Sequence, residues 1–435
     1  MSLPKGTQAA HRIYYDEPGL LEFTAEVTAI REVARVNGRQ VWQLALNRTA
    51  FYPTSGGQPF DTGQLTATAR SGALLAVPIS DVEEDDAGEV WHTTTKPLQE
   101  GTTVRGTVGA ERRHDHMQQH TGQHLLSAVL RRRFGAVTVS FHLGAEQSTI
   151  DVSGGDSLTD DALRDAEQEA NGVIGSALPV LIRTVSAEDA RLMLKAGELV
   201  KLPVRDGPIR LIEIPGLDLN SCGGTHVSST AAVGPLLLRG TERVRDTLRI
   251  AFVCGTRALV AAEHDRAHLL ALARSLSTSV EEVPGVVERL QAETRAAAKH
   301  RDALRKALAM AEAVPLSLAA AQSGTDAVVH TLAPQHAACD SAYARLLAVA
   351  LVAQPSVRIA LVSALEEDRA AMALAATPGA LDCGWLLRQS LAALGGRGGG
   401  TRELAQGSLP ATHLQELVHT LGTHRTNDTV TDEVR

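Results

Sequence analysis

Two short segments far apart in the chain restrict how it can fold. His120 and His124 stand four apart in HMQQHTGQHLLSAVL, and Cys222 and His226 stand four apart in NSCGGTHVSS. Residues spaced i and i+4 project from one side of a helix, so both imidazoles of the first pair point at one place. Gly223 and Gly224 favour a tight turn that folds backbone closely around an ion. One thiolate and three imidazoles are the donors of a tetrahedral zinc site, and if they share an ion the fold must carry the turn to the helix. The plainer alternative is a set of helix-surface histidines and a buried cysteine. His116 lies one turn before His120 on the same predicted face, and spacing alone does not exclude it as a ligand.

The rest of the composition narrows the class. A chain of 435 residues has room for about two to four domains with cores of their own. Aromatic residues, at 3%, are too sparse for a nucleic acid to be held mainly by stacking. A net charge of −8 argues against indiscriminate binding of polyanions, which needs clustered Lys and Arg. Local basic runs remain, Arg112 with Arg113 and Arg131 with Arg132 and Arg133. Cys222, Cys254, Cys339 and Cys383 are scattered without a small-domain disulfide pattern, which fits a reducing compartment. The first residues lack the apolar core of a signal peptide, and the greasiest stretch, Leu346 to Ala353, is too short to span a bilayer. The expectation is a cytoplasmic protein with no membrane partner.

Periodicity predicts an α+β multidomain chain. Alternation in FTAEVTAI, VWQLAL and TTVRGTV predicts an N-terminal β-barrel-like domain over 1–105, with tight turns in AFYPTSGGQPFDTGQL. A mixed α/β core over 106–255 opens with a helix from Glu111 to Arg133, its buried stripe made by Leu125, Leu126, Val129 and Leu130. Gly135 is its expected stop. Gly122 in its middle costs about 1 kcal/mol relative to alanine, so something should pass close to the backbone there. Strands in VTVSFHLG, STIDVS, PVLIRTV and IRLIEI surround a helix over 158–177. Residues 256–314 read as a helical hairpin or short coiled coil, with the helical periodicity interrupted near Pro284. Residues 315–435 read as an α/β unit of strand, helix, strand and helix ending at Leu394, with a parallel element. The glycine run at 395–400 reads by composition as a flexible linker, and the tail beyond Asn427 as frayed.

With these segments placed, the chain resembles the free-standing alanyl-tRNA editing proteins, the AlaX family, in its long form, and is similar to the editing half of alanyl-tRNA synthetase. The resemblance is carried, over nearly the whole length, by NRTAFYPTSGGQPFDTG, RRHDHMQQHTGQHLL, SCGGTH and LGGRGGGTRELAQG. Synthetases usually carry a lysine where Arg397 stands. Without a class II aminoacylation domain before the editing segment, the chain is expected to hydrolyse rather than charge. An alanine pocket cannot sterically exclude glycine and rejects serine poorly, which is why a second, hydrolytic sieve is needed.

The resemblance implies a zinc-dependent trans-editing hydrolase that deacylates tRNA(Ala) mischarged with serine or glycine, with Zn2+ on His120, His124, Cys222 and His226. It selects His120 and His124 over His116, assigns Thr49 to reading the serine hydroxyl and Gln58 to positioning the ester or water, and sets Gly56 and Gly57 against the substrate. Taken alone, Thr49 would be an ordinary strand threonine. His142, alternating with Ser140, is expected in the pocket or in a structural hydrogen bond. Four protein ligands close a zinc shell, whereas catalytic zinc keeps a position open, so a displaced ligand, an expanded shell and a pocket-shaping ion all remain in play. Cys222 as covalent nucleophile is the competing mechanism, weakened because a metal-bound thiolate is poorly available. The terminal unit resembles a DHHA1-type domain, which implies that Arg388, Arg397, Gly398, Gly399 and Arg402 contact the body of tRNA. A homodimer contact is expected, if anywhere, in the helical segment or this terminal domain. Two alternatives stand beside this reading: a non-catalytic zinc-stabilised tRNA-binding protein, and editing of another mischarged tRNA such as Ser-tRNA(Thr).

Overall fold

The computed structural model describes residues 10–36, 39–69, 72–155, 158–203 and 207–427. The chain divides into two compact units, Met1–Ala271 and Leu272–Arg435. No helix among the described residues is long and apolar enough to cross a membrane.

The first unit begins with β1 (His11–Arg12) and a single helical turn, α1 (Ile13–Asp16). There follow β2 (Glu22–Val36), β3 (Arg39–Leu46), β4 (Arg48–Thr49), β5 (Gly63–Thr68), β6 (Leu74–Ile79), β7 (Asp81–Glu84), β8 (Val90–Thr94) and β9 (Thr103–Val108). Seven of these form one sheet in the order β6-β5-β9-β2-β3-β8-β7, while β1 pairs with β4. Strand alternation buries one face around Phe23, Val27, Leu44, Leu46, Phe51, Leu65 and Val104. The expected barrel is corrected here, because the sheet is open between β6 and β7. Only Ser80 separates those two strands, which leaves no turn with which to fold one beside the other.

The second half of this unit is built on α2 (Ala110–Phe134), which ends where Gly135 takes a left-handed φ of 69° and its N–H caps the Arg131 carbonyl. Then come β10 (Val137–Leu143), β11 (Ser148–Ser153), α3 (Asp160–Gly175), β12 (Leu181–Val185), α4 (Ala187–Lys195), β13 (Ile209–Ile214), β14 (Asp218–Ser221), β15 (Leu236–Val244) and β16 (Thr247–Cys254). They form two sheets, β10-β11-β16-β15 and β12-β13-β14, sharing a core with α2 and α3 through Leu125, Leu126, Val129, Ile150, Ala166, Ile212 and Phe252. The close approach expected at Gly122 is that of Cys254, whose Sγ would lie 2.2 Å from any Cβ there.

Helix α5 (Thr256–Ser275) is followed by α6 (Val283–Gln322), so the helical stretch is interrupted near Pro284 as expected, and the proline sits in the first turn of α6, where its missing N–H costs nothing. The second unit continues with β17 (Ala327–Leu332), α7 (Ser341–Val352), β18 (Ile359–Glu366), β19 (Arg369–Ala376), α8 (Cys383–Ala393), β20 (Arg397–Gly400), β21 (Leu404–Pro410) and α9 (Leu414–Asn427). Its sheet runs β17-β18-β19-β21-β20, and the expected parallel element is the pair β17 and β18. Strand β19 was not expected: its sequence RAAMALAA favours helix, but burial of almost every residue between neighbouring strands overrides that preference. The glycine run is likewise no linker. It forms β20, an edge strand, and a Cβ on Gly398 would fall 2.5 Å from Leu391 Cδ1, so glycine lets α8 lie directly on the hairpin. The tail beyond Asn427 lies outside the described residues.

Candidate metal centre

The helical stagger of α2 brings His120 and His124 side by side, with ring centroids 5.6 Å apart. The turn after β14 brings Cys222 and His226 against them. Cys222 Sγ lies 3.4 Å from His120 Nε2 and 3.3 Å from His226 Nε2, and the four ligand atoms all lie within 4.8 Å of one another. A tetrahedral zinc shell with bonds of about 2.0–2.3 Å has edges of roughly 3.3–3.8 Å, a range that the two Cys222 distances meet and that the 4.8 Å span of the whole group exceeds. All three histidines are buried.

What holds the rings is as informative as the rings themselves. The backbone N–H of Thr225 donates to Gln58 Oε1, which fixes that oxygen as an acceptor, and it also receives His120 Nδ1 at 2.8 Å. Asp218 Oδ2 receives His124 Nδ1 at 2.9 Å, and Asn220 donates to both oxygens of the same carboxylate. His226 Nδ1 faces Thr121 Oγ1 at 3.1 Å. Each ring is thus engaged through Nδ1, and Nε2 is left for the common centre, which is the outer-shell arrangement of metal-binding histidines. Gly224 is required by packing rather than by a positive φ: a Cβ there would meet His120 Cε1 at 2.1 Å. Arg210 braces the turn from beneath, its Nη1 donating to the carbonyls of Cys222 and Gly224 and its Nε to that of Tyr15.

The electrostatics of the Cys222 thiol agree with ligation. Burial raises the Cys222 thiol, but the facing His120 and His226 outweigh it and hold it well below its ordinary value. Burial keeps His226 down at about 3, whereas at His124 burial is overcome by Asp218 and Cys222 and the ring rises to about 10. His116 is not part of the group. It is buried near Arg112, Asp61 and Asp115, and burial lowers it to about 4.

The centre forms one end of a cleft of about 270 Å3. Gly56 and Gly57 take φ of 57° and 84°, the pair of left-handed conformations that a two-residue hairpin turn demands, and Gly56 lines the cleft. Gly57 packs under Phe141, whose carbonyl would be 2.5 Å from a Cβ. Gln58 is fully buried, with its amide engaged by His120 and Thr225. Thr49 is also fully buried and does not line the cleft. Its hydroxyl pairs with His92 Nε2 at 2.8 Å, and His92 Nδ1 meets the Leu44 carbonyl at 3.0 Å. His142 is exposed on β10, while its neighbours Ser140 and Phe141 line the cleft. Arg388, Arg397, Gly398, Gly399 and Arg402 lie together on α8 and the β20–β21 hairpin of the second unit. Asp218, Asn220, Thr121 and Arg210 were missed in the sequence, because a single acid, amide, hydroxyl or arginine carries no spacing signal.

Residues 4–112 match the family described as tRNA synthetases class II (A), and residues 209–250 match threonyl and alanyl tRNA synthetase second additional domain. The second match includes Cys222 and His226. The chain is similar to an alanine–tRNA ligase of Korarchaeum cryptofilum, with 29% identity across 94% of this chain and 44% of that protein. It is 35% identical to alanyl-tRNA editing protein AlaX-L of Pyrococcus horikoshii across 57% of this chain and 59% of that one. It is 34% identical to alanyl-tRNA editing protein Aarsd1 of Mus musculus across 65% of this chain and 66% of that one. The chain spans about a third of the Pyrococcus alanine–tRNA ligases that it matches, at 32% of their length.

Proposed function

Because the chain belongs to one family with the alanyl-tRNA editing proteins and the alanine–tRNA ligases, we propose that it hydrolyses the aminoacyl ester of mischarged tRNA(Ala). Serine is the leading misacylated amino acid and glycine the second. The observation that carries the proposal is the convergence of one thiol and three Nδ1-anchored imidazoles at the end of an open cleft. His120, His124, Cys222 and His226 would hold Zn2+, which when bound supplies a Lewis acid beside the ester. Gln58 and Asp218 keep the His120 and His124 rings in position, so they act through the ligands rather than on substrate. Cys222 serves as ligand rather than nucleophile, since its sulfur faces the imidazoles. Residues 315–435 form the tRNA-body contact in this proposal, through Arg388, Arg397, Arg402 and the glycine edge strand.

The closed set of four donors favours one second reading, a zinc-stabilised tRNA-binding protein without catalysis. The two are separated by incubating the zinc-loaded protein with Ser-tRNA(Ala) and with Ala-tRNA(Ala). Faster release of serine supports editing, and release from both at the rate of the uncatalysed ester supports the binding module. Ser-tRNA(Thr) belongs in the same assay, because the matched domain is shared with threonyl-tRNA synthetases.

A further inference from the structure

The basic run Arg131-Arg132-Arg133 does not act as one patch. Arg132 is paired with Glu169, and Arg133 with Asp165 and Glu169, all on α3. Arg131 instead lines the cleft that ends at the metal centre. Its guanidinium comes only to 3.7 Å from Asp218 Oδ1, beyond hydrogen-bonding range, and its side chain is 35% exposed. Lys201 lines the same cleft from the segment after α4. Between Arg131 and the histidines the α2 wall carries Gln123 and Ser127, a polar stripe at helical spacing, and Lys201 enters from the opposite side, its carbonyl accepting a hydrogen bond from Ser221 Oγ at 3.2 Å. Asp218 touches His124 Nδ1 with one oxygen and approaches Arg131 with the other, so the guanidinium stands one carboxylate away from the outer edge of a ring whose Nε2 faces the centre.

We propose that Arg131 and Lys201 form a phosphate subsite, which receives the 5′-phosphate of the terminal nucleotide when its aminoacyl ester lies at the metal centre. This rests on the editing reading and deepens it: the substrate enters with its sugar–phosphate chain running along α2 towards Gly135. A planar guanidinium beside a flexible ammonium is a phosphate-binding pair, and a neutral nucleoside gains nothing from it.

The test compares two minimal substrates on the zinc-loaded full chain, 3′-O-seryl-adenosine 5′-monophosphate and 3′-O-seryl-adenosine. The readout is the ratio of their kcat/KM values, which cancels any general damage to the centre. Arg131→Gln and, separately, Lys201→Ala should lower this ratio about tenfold, and Arg131→Lys should restore much of it. An unchanged ratio in both variants overturns the subsite. If the parent hydrolyses neither ester, the editing reading fails on its own. The subsite is then read by calorimetry with adenosine 5′-monophosphate against adenosine: tighter binding of the phosphate form that is lost in Arg131→Gln supports it, and equal affinities in the parent overturn it.

Discussion

Asp218 Oδ2 accepts a hydrogen bond from His124 Nδ1 at 2.9 Å, although the two residues lie on different elements and 94 positions apart. The carboxylate fixes which ring nitrogen carries the proton and turns Nε2 towards Cys222 and His226. A ligand so oriented binds metal more tightly than one free to rotate, by roughly 10–100-fold.

Asp218→Asn should therefore lower zinc affinity by about 10–100-fold while keeping side-chain size. Competition against a chromophoric chelator measures it, and an unchanged affinity would remove Asp218 from the site.

Cys222→Ala and His120→Ala should each lose stoichiometric zinc. Gly224→Ala should do the same without touching a ligand, because the new Cβ would sit 2.1 Å from His120 Cε1 and force the ring or the turn to move. The overlap should also destabilise the first unit by about 1–3 kcal/mol. Metal analysis by mass spectrometry and denaturant melts test both effects; full zinc occupancy in Gly224→Ala would show that the turn relaxes freely.

His92 and Thr49 predict an acid-labile core. Burial holds His92 down to about 4 from its ordinary 6.5, so the ring stays neutral in the folded protein. Below pH 6.5 the unfolded chain binds the proton more readily, and stability should be lost as pH falls from 6.5 towards 4, by about 3 kcal/mol from this group. Urea melts at pH 7 and pH 4.5, both with chelator to remove the metal contribution, should show less loss in His92→Gln than in the parent. Thr49→Val, which strips His92 Nε2 of its partner, should cost about 1–3 kcal/mol at neutral pH. A parallel pH dependence in parent and His92→Gln would contradict the assignment.

Gly400→Ala distinguishes a strand from a linker. Its Cβ would lie 2.3 Å from the Leu404 carbonyl oxygen within the β20–β21 hairpin, so the variant should destabilise the second unit by about 1–3 kcal/mol. Unaltered thermal unfolding would mean that the run is not packed as a strand.

The four candidate donors were legible in part because their signal is local, an i,i+4 histidine pair on a helix and a cysteine and histidine flanking two glycines; spacing alone left His116 beside His120, and the fold sets it apart from the group. The end of α2 was legible for the same reason, since Gly135 is the residue that accepts a left-handed φ. Strand β19 was not legible, because alanine has no pattern of its own and only its neighbours β18 and β21 make it a strand. Nor was the open edge between β6 and β7 visible, since closure depends on how strands from distant positions are ordered.

What the sequence determined by itself is the inventory of donors and the stiffness of the segments that carry them. Tertiary structure decided everything that needed two distant segments at once: that Asp218 and Gln58 orient the rings, that Thr49 meets His92, and that Arg131 parts from Arg132 and Arg133 to face the cleft. The physical reason is range. Turn and helix preferences act over a few residues, whereas a hydrogen bond between residues 124 and 218 exists only once the core has brought their elements together.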